Sequence, residues 1–277
     1  MADLKVVILI IVHKENLDAY ERISLEQCFR ILGHYPIKFI CPKGLNIHEY
    51  LAINPEASFD FISPQWQCSY KNVQMLKTMP FLYERYRKYD HILFYELDAF
   101  VFRDELMEWC EKGYDYVGAP WLEGWSEAKE RAPFYGVGNG GFSLRKIQTH
   151  IKALYSFSYI EKPIELWKRF QNAPFPRRPY LLFDMIEKLT IRNNTHHWFN
   201  DWIGMRQEDP FWGIAVNQNF EWFTVPEPQE ALQFSFEVQP QYLYELNNQN
   251  LPFGCHAWWK YDLEFWRPFI GEFGYKV

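Results

Sequence analysis

The 277-residue sequence is 48% apolar with a formal net charge of −6, enough to bury a large core and without the basic excess that tracks a nucleic-acid backbone. No apolar run approaches the roughly 20 residues that cross a bilayer, and the five cysteines, at 28, 41, 68, 110 and 255, are never in C-x-x-C spacing, which suggests neither a disulfide framework nor a zinc site. The expectation is a soluble protein of a reducing, cytoplasmic setting with no nucleic-acid partner and no transmembrane segment, in which any anionic ligand must meet local positive charge.

The opening MADLKVVILIIVHKEN lacks a basic n-region and a small-residue cleavage site, and Lys5 to Val12 reads as a β-branched core strand. Asn16 or Asp18 can cap a helix whose apolar positions Ile23, Leu25, Cys28, Phe29 and Leu32 recur at helical spacing, with Gly33 as its stop. PIKFIC and FDFI are further short strands. SYKNVQMLKTMPFLYERYRKY is helical, kinked or divided by Pro80, and delivers the chain into HILFYELDAFVF. Asp104 then caps a helix ending near Gly113, and YDYVGAP is a strand leading into a loop. RAPFYGVGNGGFSLRK is glycine-dense before it turns strand-like. Residues 145 to 190 are mainly helical, interrupted by NAPFPRRP, and RNNTHHWFNDWIGMRQ reads as a long surface loop of the kind that is more often functional than idle. Strands alternating with helices predict an α/β fold, a mostly parallel central sheet flanked by helices. With no repeat or linker, 1–277 is expected to form a single domain.

HILFYELDAFVF, residues 91–102, sets Glu96 and Asp98 inside an apolar run, where an unpaired buried charge costs several kcal/mol or more. If the strand ends at Tyr95, the acids face the crevice at the carboxyl edge of the sheet. On an extended segment residues i and i+2 point the same way, so both carboxylates share one side while Leu97 turns to the core. Two hard oxygen donors there suit Mg²⁺ or Mn²⁺ when a phosphorylated substrate completes the coordination. Pairing of both acids with Lys or Arg neighbours explains the same residues, and so does a simple strand end at Asp98.

GVGNGGF, residues 136–142, is followed by the strand-like FSL where a dinucleotide fingerprint needs a helix. It reads either as a close approach of backbone to ligand or as a plain glycine turn. In QEDPFWG, Asp209 as N-cap with Pro210 at the first helical position is a standard helix start, and a carboxylate there can also face a crevice. His256 in GCHAWWKY stands alone in sequence and by itself reads as structural or exposed. Aromatics reach 19% with twelve tryptophans, many in polar company as in PWLEGW, HHWFNDW and HAWWKY; their faces fit sugar C–H surfaces, or a core or oligomer interface.

Taken in chain order, LFYELDAFVF after SYKNVQML, then VGNGGFSLRK, QEDPFW and FGCHAWWKY, resemble GT-A-fold glycosyltransferases, and within them a domain-of-unknown-function family of GT-A-like proteins from surface-polysaccharide contexts. The resemblance spans most of the chain. It implies a GT-A-like domain with a nucleotide-binding half (1–120) and an elaborated sugar and acceptor half (121–277). It implies a transferase moving a sugar from a UDP- or GDP-sugar to a glycan hydroxyl in polysaccharide biosynthesis, inverting the anomeric centre. Asp98, Glu96 and His256 would hold Mn²⁺ (or Mg²⁺), with Glu96 serving it directly or through water. Asp209, or Glu208, would be the general base. Donor contacts would come from Val12, His13, Lys71, Lys77, Leu97, Gly138, Asn139, Gly140, Gly141 and Lys260, with the Asn139 amide on sugar hydroxyls. Trp121, Trp212 and Trp258 would meet the acceptor. A metal-dependent nucleotide-sugar hydrolase, and a non-catalytic sugar-binding protein on the same fold, are the alternatives.

Overall fold

The computed structural model describes residues 4–157, 162–190 and 207–277; the expected loop RNNTHHWFNDWIGMRQ, Gln207 apart, lies outside them. Strand β1 (Val6–Ile11) is buried at every position, as a central parallel strand covered on both faces must be. Its side chains alternate: Val7, Leu9 and Ile11 join one core cluster and Val6, Ile8 and Ile10 the other. Helix α1 (Ala19–Leu32) begins at Asp18, which forms a reciprocal capping box with Glu21. It stops at Gly33, where a Cβ would sit 2.2 Å from the Phe29 carbonyl oxygen.

β2 (Ile37–Pro42), helix α2 (His48–Ile53) and β3 (Ser58–Ile62) follow. Pro80 divides the next helical stretch into α3 (Tyr70–Leu76) and α4 (Pro80–Arg85), and the chain then enters β4 (His91–Tyr95). β1 pairs in parallel with β2 and β4, and β2 with β3. β4 ends at Tyr95, where the crevice reading puts its end, and the chain then turns: the Ala99 N–H donates to the Glu96 carbonyl at 2.9 Å, turning the chain at Leu97–Asp98 before β5 (Phe100–Val101). A turn, not strand alternation, therefore sets where the two acids point.

Helix α5 (Leu106–Glu111) leads to β6 (Tyr116–Val117), and β7 (Ala119–Leu122) pairs with β8 (Phe134–Gly138) as a separate antiparallel ribbon. β9 (Phe142–Lys146) returns antiparallel between β4 and β6, completing a six-stranded sheet in the order β3-β2-β1-β4-β9-β6. Helices α6 (Ile147–Tyr155), α7 (Pro163–Asn172) and α8 (Arg178–Thr190) come next. This is the expected mixed α/β architecture with a mostly parallel sheet flanked by helices.

The C-terminal segment contributes β10 (Ser235–Phe236) and β11 (Gly254–Cys255), which form a small sheet in the order β10-β11-β5. Phe236 pairs with Cys255 and Cys255 with Phe100, so Glu237 and His256, each one residue beyond its strand, arrive beside the Glu96–Ala99 turn. A third core cluster containing Phe100, Trp258, Trp266 and Phe236 fixes this sheet from behind. Among the described residues, no helix is long and apolar enough to cross a membrane.

Candidate active site

Glu96, Asp98 and His256 each offer a donor atom, and the three atoms lie within 4.8 Å of one another. His256 Nε2 stands 3.0 Å from Asp98 Oδ1 and 3.5 Å from Glu96 Oε2. Its other nitrogen, Nδ1, is 3.0 Å from Glu237 Oε1. The Glu237 carboxylate on Nδ1 is the second partner that orients a ligating imidazole, and it leaves Nε2 facing the acids. Burial alone would lower the His256 pKa, but Asp98, Glu237 and Glu96 outweigh it and hold the ring well above the ordinary range. Nε2 is buried with no hydrogen-bond partner of good geometry, and two carboxylates and an imidazole nitrogen fit a divalent ion.

A second cluster lies alongside. Lys77 on the C-terminal side of α3 is 1% exposed, Arg145 of β9 and Glu208 are 0%. Arg145 donates to Glu208 Oε1 at 2.8 Å, to the Tyr83 hydroxyl at 3.1 Å and through Nε to Ser143 Oγ at 3.1 Å. The Lys77 ammonium donates to Glu96 Oε1 and to the Gly140 carbonyl at 3.1 Å, and lies 3.5 Å from Glu208 Oε1. Two of its hydrogens are thus directed at Glu96 and Gly140, so Lys77 serves as an internal counterion, and it also lines the cavity at the acids, where it was expected to reach a donor diphosphate. Desolvation opposes the charged Glu96, yet Lys77 and His256 prevail and depress its pKa far below the carboxylate range.

Asp209 follows Glu208 in a helical run that starts at Glu208, with Gln207 as N-cap and no side-chain cap. Asp209 is therefore not the N-cap the sequence offered, and its Oδ1 has no hydrogen-bond partner. Burial, with Glu208 and Glu237 nearby, raises its pKa to about 7. A π-helical turn, Phe211–Val216, follows immediately, a distortion that often occurs at functional sites.

The glycines explain how these groups come so close. A Cβ on Gly140 would lie 2.0 Å from Glu208 Oε1, and one on Gly141 2.0 Å from His256 Nε2. One on Gly138 would lie 2.0 Å from the Trp121 ring. Missing side chains admit the protein's own acids and rings. Asn139 sits between them at φ +74°; its Oδ1 accepts from the Gly141 N–H at 2.8 Å and its Nδ2 is 3.0 Å from His256 Nδ1. The amide expected on sugar hydroxyls shapes the glycine turn and flanks the histidine.

Two cavities meet at the acids. One, about 290 Å³, is lined by Asp209, Glu237, His256, Trp121 and Lys260; the other, about 520 Å³, by Val12, His13, Cys68, Leu97 and Trp259. Tyr70, Gln74, Glu96 and Asp98 line both. Val12, His13 and Leu97 thus lie in the larger cavity, and Asn139, Gly140, Gly141 and Lys260 in the smaller. Gly138 lines neither and admits the Trp121 ring, and Lys71, exposed on α3, lines neither. Trp212 and Trp258 are 0% exposed, packed on His150 and Tyr20 respectively, so neither ring can meet an acceptor. Trp121 remains, stacked on Trp125 with ring centroids 5.1 Å apart. Sequence reasoning passed over Arg145 and Glu237. A lone arginine inside FSLRK was a readable signal; Glu237 in FSFEVQP carried none.

A model of the family described as protein of unknown function (DUF5672) matches residues 56–256. No curated protein shows significant similarity to the sequence. Among solved structures, mouse xyloside xylosyltransferase 1 is similar over 91% of this chain and 97% of its own at 12% identity and a TM-score of 0.48. A glycosyltransferase involved in glycosylating the major capsid of PBCV-1 is similar over 91% and 92% at 12% identity and a TM-score of 0.38. Core-mannan synthase A from Aspergillus fumigatus, in an Mn/GDP form, is similar over 78% and 70% at 10% identity and a TM-score of 0.42.

Proposed function

The chain belongs to DUF5672, a family of proteins of unknown function, and from its site we propose that it transfers a sugar from a nucleoside-diphosphate donor to a glycan hydroxyl. The observation that carries this is the meeting of two cavities at Glu96 and Asp98, with His256 beside them in the wall of the smaller one. A donor spanning them would seat its nucleoside against Val12, His13 and Leu97, its diphosphate at the acids and its sugar beside Asp209. A divalent ion held by Asp98, Glu96 and His256 would neutralise the leaving diphosphate, and the mixed oxygen and nitrogen donors favour Mn²⁺ over Mg²⁺.

The chain's own residues do the rest. Glu237 fixes the His256 ring through Nδ1. Asp209, with an unpartnered oxygen and a carboxyl near neutrality, takes the proton from the acceptor hydroxyl as that oxygen attacks the anomeric carbon, an inverting displacement. Glu208 is the weaker candidate because Arg145 and Lys77 already hold its Oε1. Exposed Lys260, at the rim of the smaller cavity, can approach phosphate oxygens. The Trp121–Trp125 stack supplies an apolar wall for a sugar face.

The test is product analysis with UDP- and GDP-sugars, Mn²⁺ and a mixed oligosaccharide acceptor. The expected result is a glycan product that disappears with EDTA and in Asp98→Asn. Free sugar released at full rate without acceptor would make the protein a hydrolase, and transfer that survives EDTA would remove the metal from the account.

A further inference from the structure

The α7–α8 hairpin is built unlike the rest of the chain. Its helices are joined by the 3-10 turn Phe175–Arg177 and, among the described residues, pack chiefly on each other. On α8, Leu181, Met185 and Leu189 recur at i, i+4 and i+8 and are half-buried, forming an inward stripe. The other side of the same helix is apolar too: Tyr180, Phe183 and Ile186 are 72%, 68% and 52% exposed. Ile164 and Trp167 of α7 are 54% and 44% exposed, and Phe175 at the turn 82%. Scattered exposed apolar side chains are ordinary, but with Leu182, at 42%, there are seven large ones among the described residues of one hairpin, and they mark a surface made to be covered.

Charge selects the occupant. Residues 162–190 hold six Lys or Arg against three Asp or Glu, a surplus of +3 in a chain whose net charge is −6. Pairing of the hairpin with that of a second copy would set two positive segments against each other. Anionic lipid headgroups complement it, and basic residues beside Trp and Phe are the composition of a helix that lies in a membrane interface. We propose that the hairpin docks the protein on an anionic lipid surface, seating Phe175, Phe183 and Trp167 at the headgroup boundary with Lys168 and Arg177 on the phosphates. The remaining, acidic part of the chain is repelled by such a surface, so docking falls to the hairpin alone. The proposal is independent of the sugar chemistry.

Co-sedimentation of the full chain with phosphatidylcholine vesicles, with and without phosphatidylglycerol, tests it. The expected result is binding about ten-fold stronger to the anionic vesicles and weakened by salt. Phe175→Asp and Arg177→Glu should each cut the bound fraction about five-fold or more while leaving the melting temperature unchanged, since both side chains are exposed. Equal binding to both vesicle types overturns the proposal, as does wild-type binding by the double variant. A hairpin-dependent dimer in analytical ultracentrifugation without lipid binding would overturn it in favour of a second copy.

Discussion

Two charged clusters share one crevice and are built in opposite ways. In Lys77–Arg145–Glu208 every group is buried, and the two cations close on one carboxylate oxygen. In Glu96–Asp98–His256 the side chains are 32%, 31% and 14% exposed, and two acids, with Glu237 behind, surround one imidazole. The first cluster is closed and carries one cation in excess, the second is acid-rich, with Glu96 and Asp98 open to both cavities. A closed network holds geometry, whereas an open one with surplus negative charge is suited to receive a cation. Substitutions in the first should therefore damage stability, and those in the second binding and turnover.

Asp98→Asn is the sharpest probe of that division. It should lower transfer by about a thousand-fold or more without loss of the thermal transition, and a variant that unfolds instead would erase the contrast. Arg145→Met leaves Glu208 buried beside only Lys77 and should cost about 3–5 kcal/mol in urea unfolding. Adding Glu208→Gln should return much of that loss, because a neutral amide needs no cation.

Glu237→Gln weakens the orientation of His256 and should reduce Mn²⁺ affinity about 10–100-fold by calorimetry while the fold persists. Asp209→Asn gives the smallest stability effect, and its sign is opposite. With a folded pKa near 7 against an ordinary 3.8, ionising Asp209 opposes folding, and that cost grows as pH rises from the ordinary value through about 7. The amide should then stabilise by about 1–2 kcal/mol at pH 8 and leave stability unchanged at pH 3, while transfer is lost. In the wild type, kcat/KM should rise with pH through about 7, as expected of a base that must be deprotonated.

The parallel half of the sheet was legible because its signals are local. A β-branched run marks β1 and a continuous apolar run marks β4, the Asp18 box marks α1, and Pro80 divides α3 from α4. Glu96, Asp98, Glu208, Asp209 and His256 were legible as a set only through the order of their motifs, and the fold brings them into one crevice. What the sequence could not convey depends on contacts between distant segments. Nothing local says which tryptophan rings become core, so Trp212 and Trp258 read like Trp121. A lysine in a helix reads as solvated until Glu96 and Glu208 close over it. The glycines of GVGNGGF announce close approach but not that the visitors are Glu208 and His256. The pairing of β5 with β11, which delivers His256 to Asp98, joins strands too short to carry a pattern.

The central claim is that Glu96, Asp98 and His256 bind a divalent ion that in turn binds a nucleoside diphosphate. A thermal-shift titration of UDP and GDP with and without Mn²⁺ addresses it most directly, since a ligand of the folded state raises its melting temperature. The account predicts an upward shift with at least one nucleotide that requires Mn²⁺ and vanishes in Asp98→Asn. The same shift without the ion, or undiminished in that variant, would contradict it.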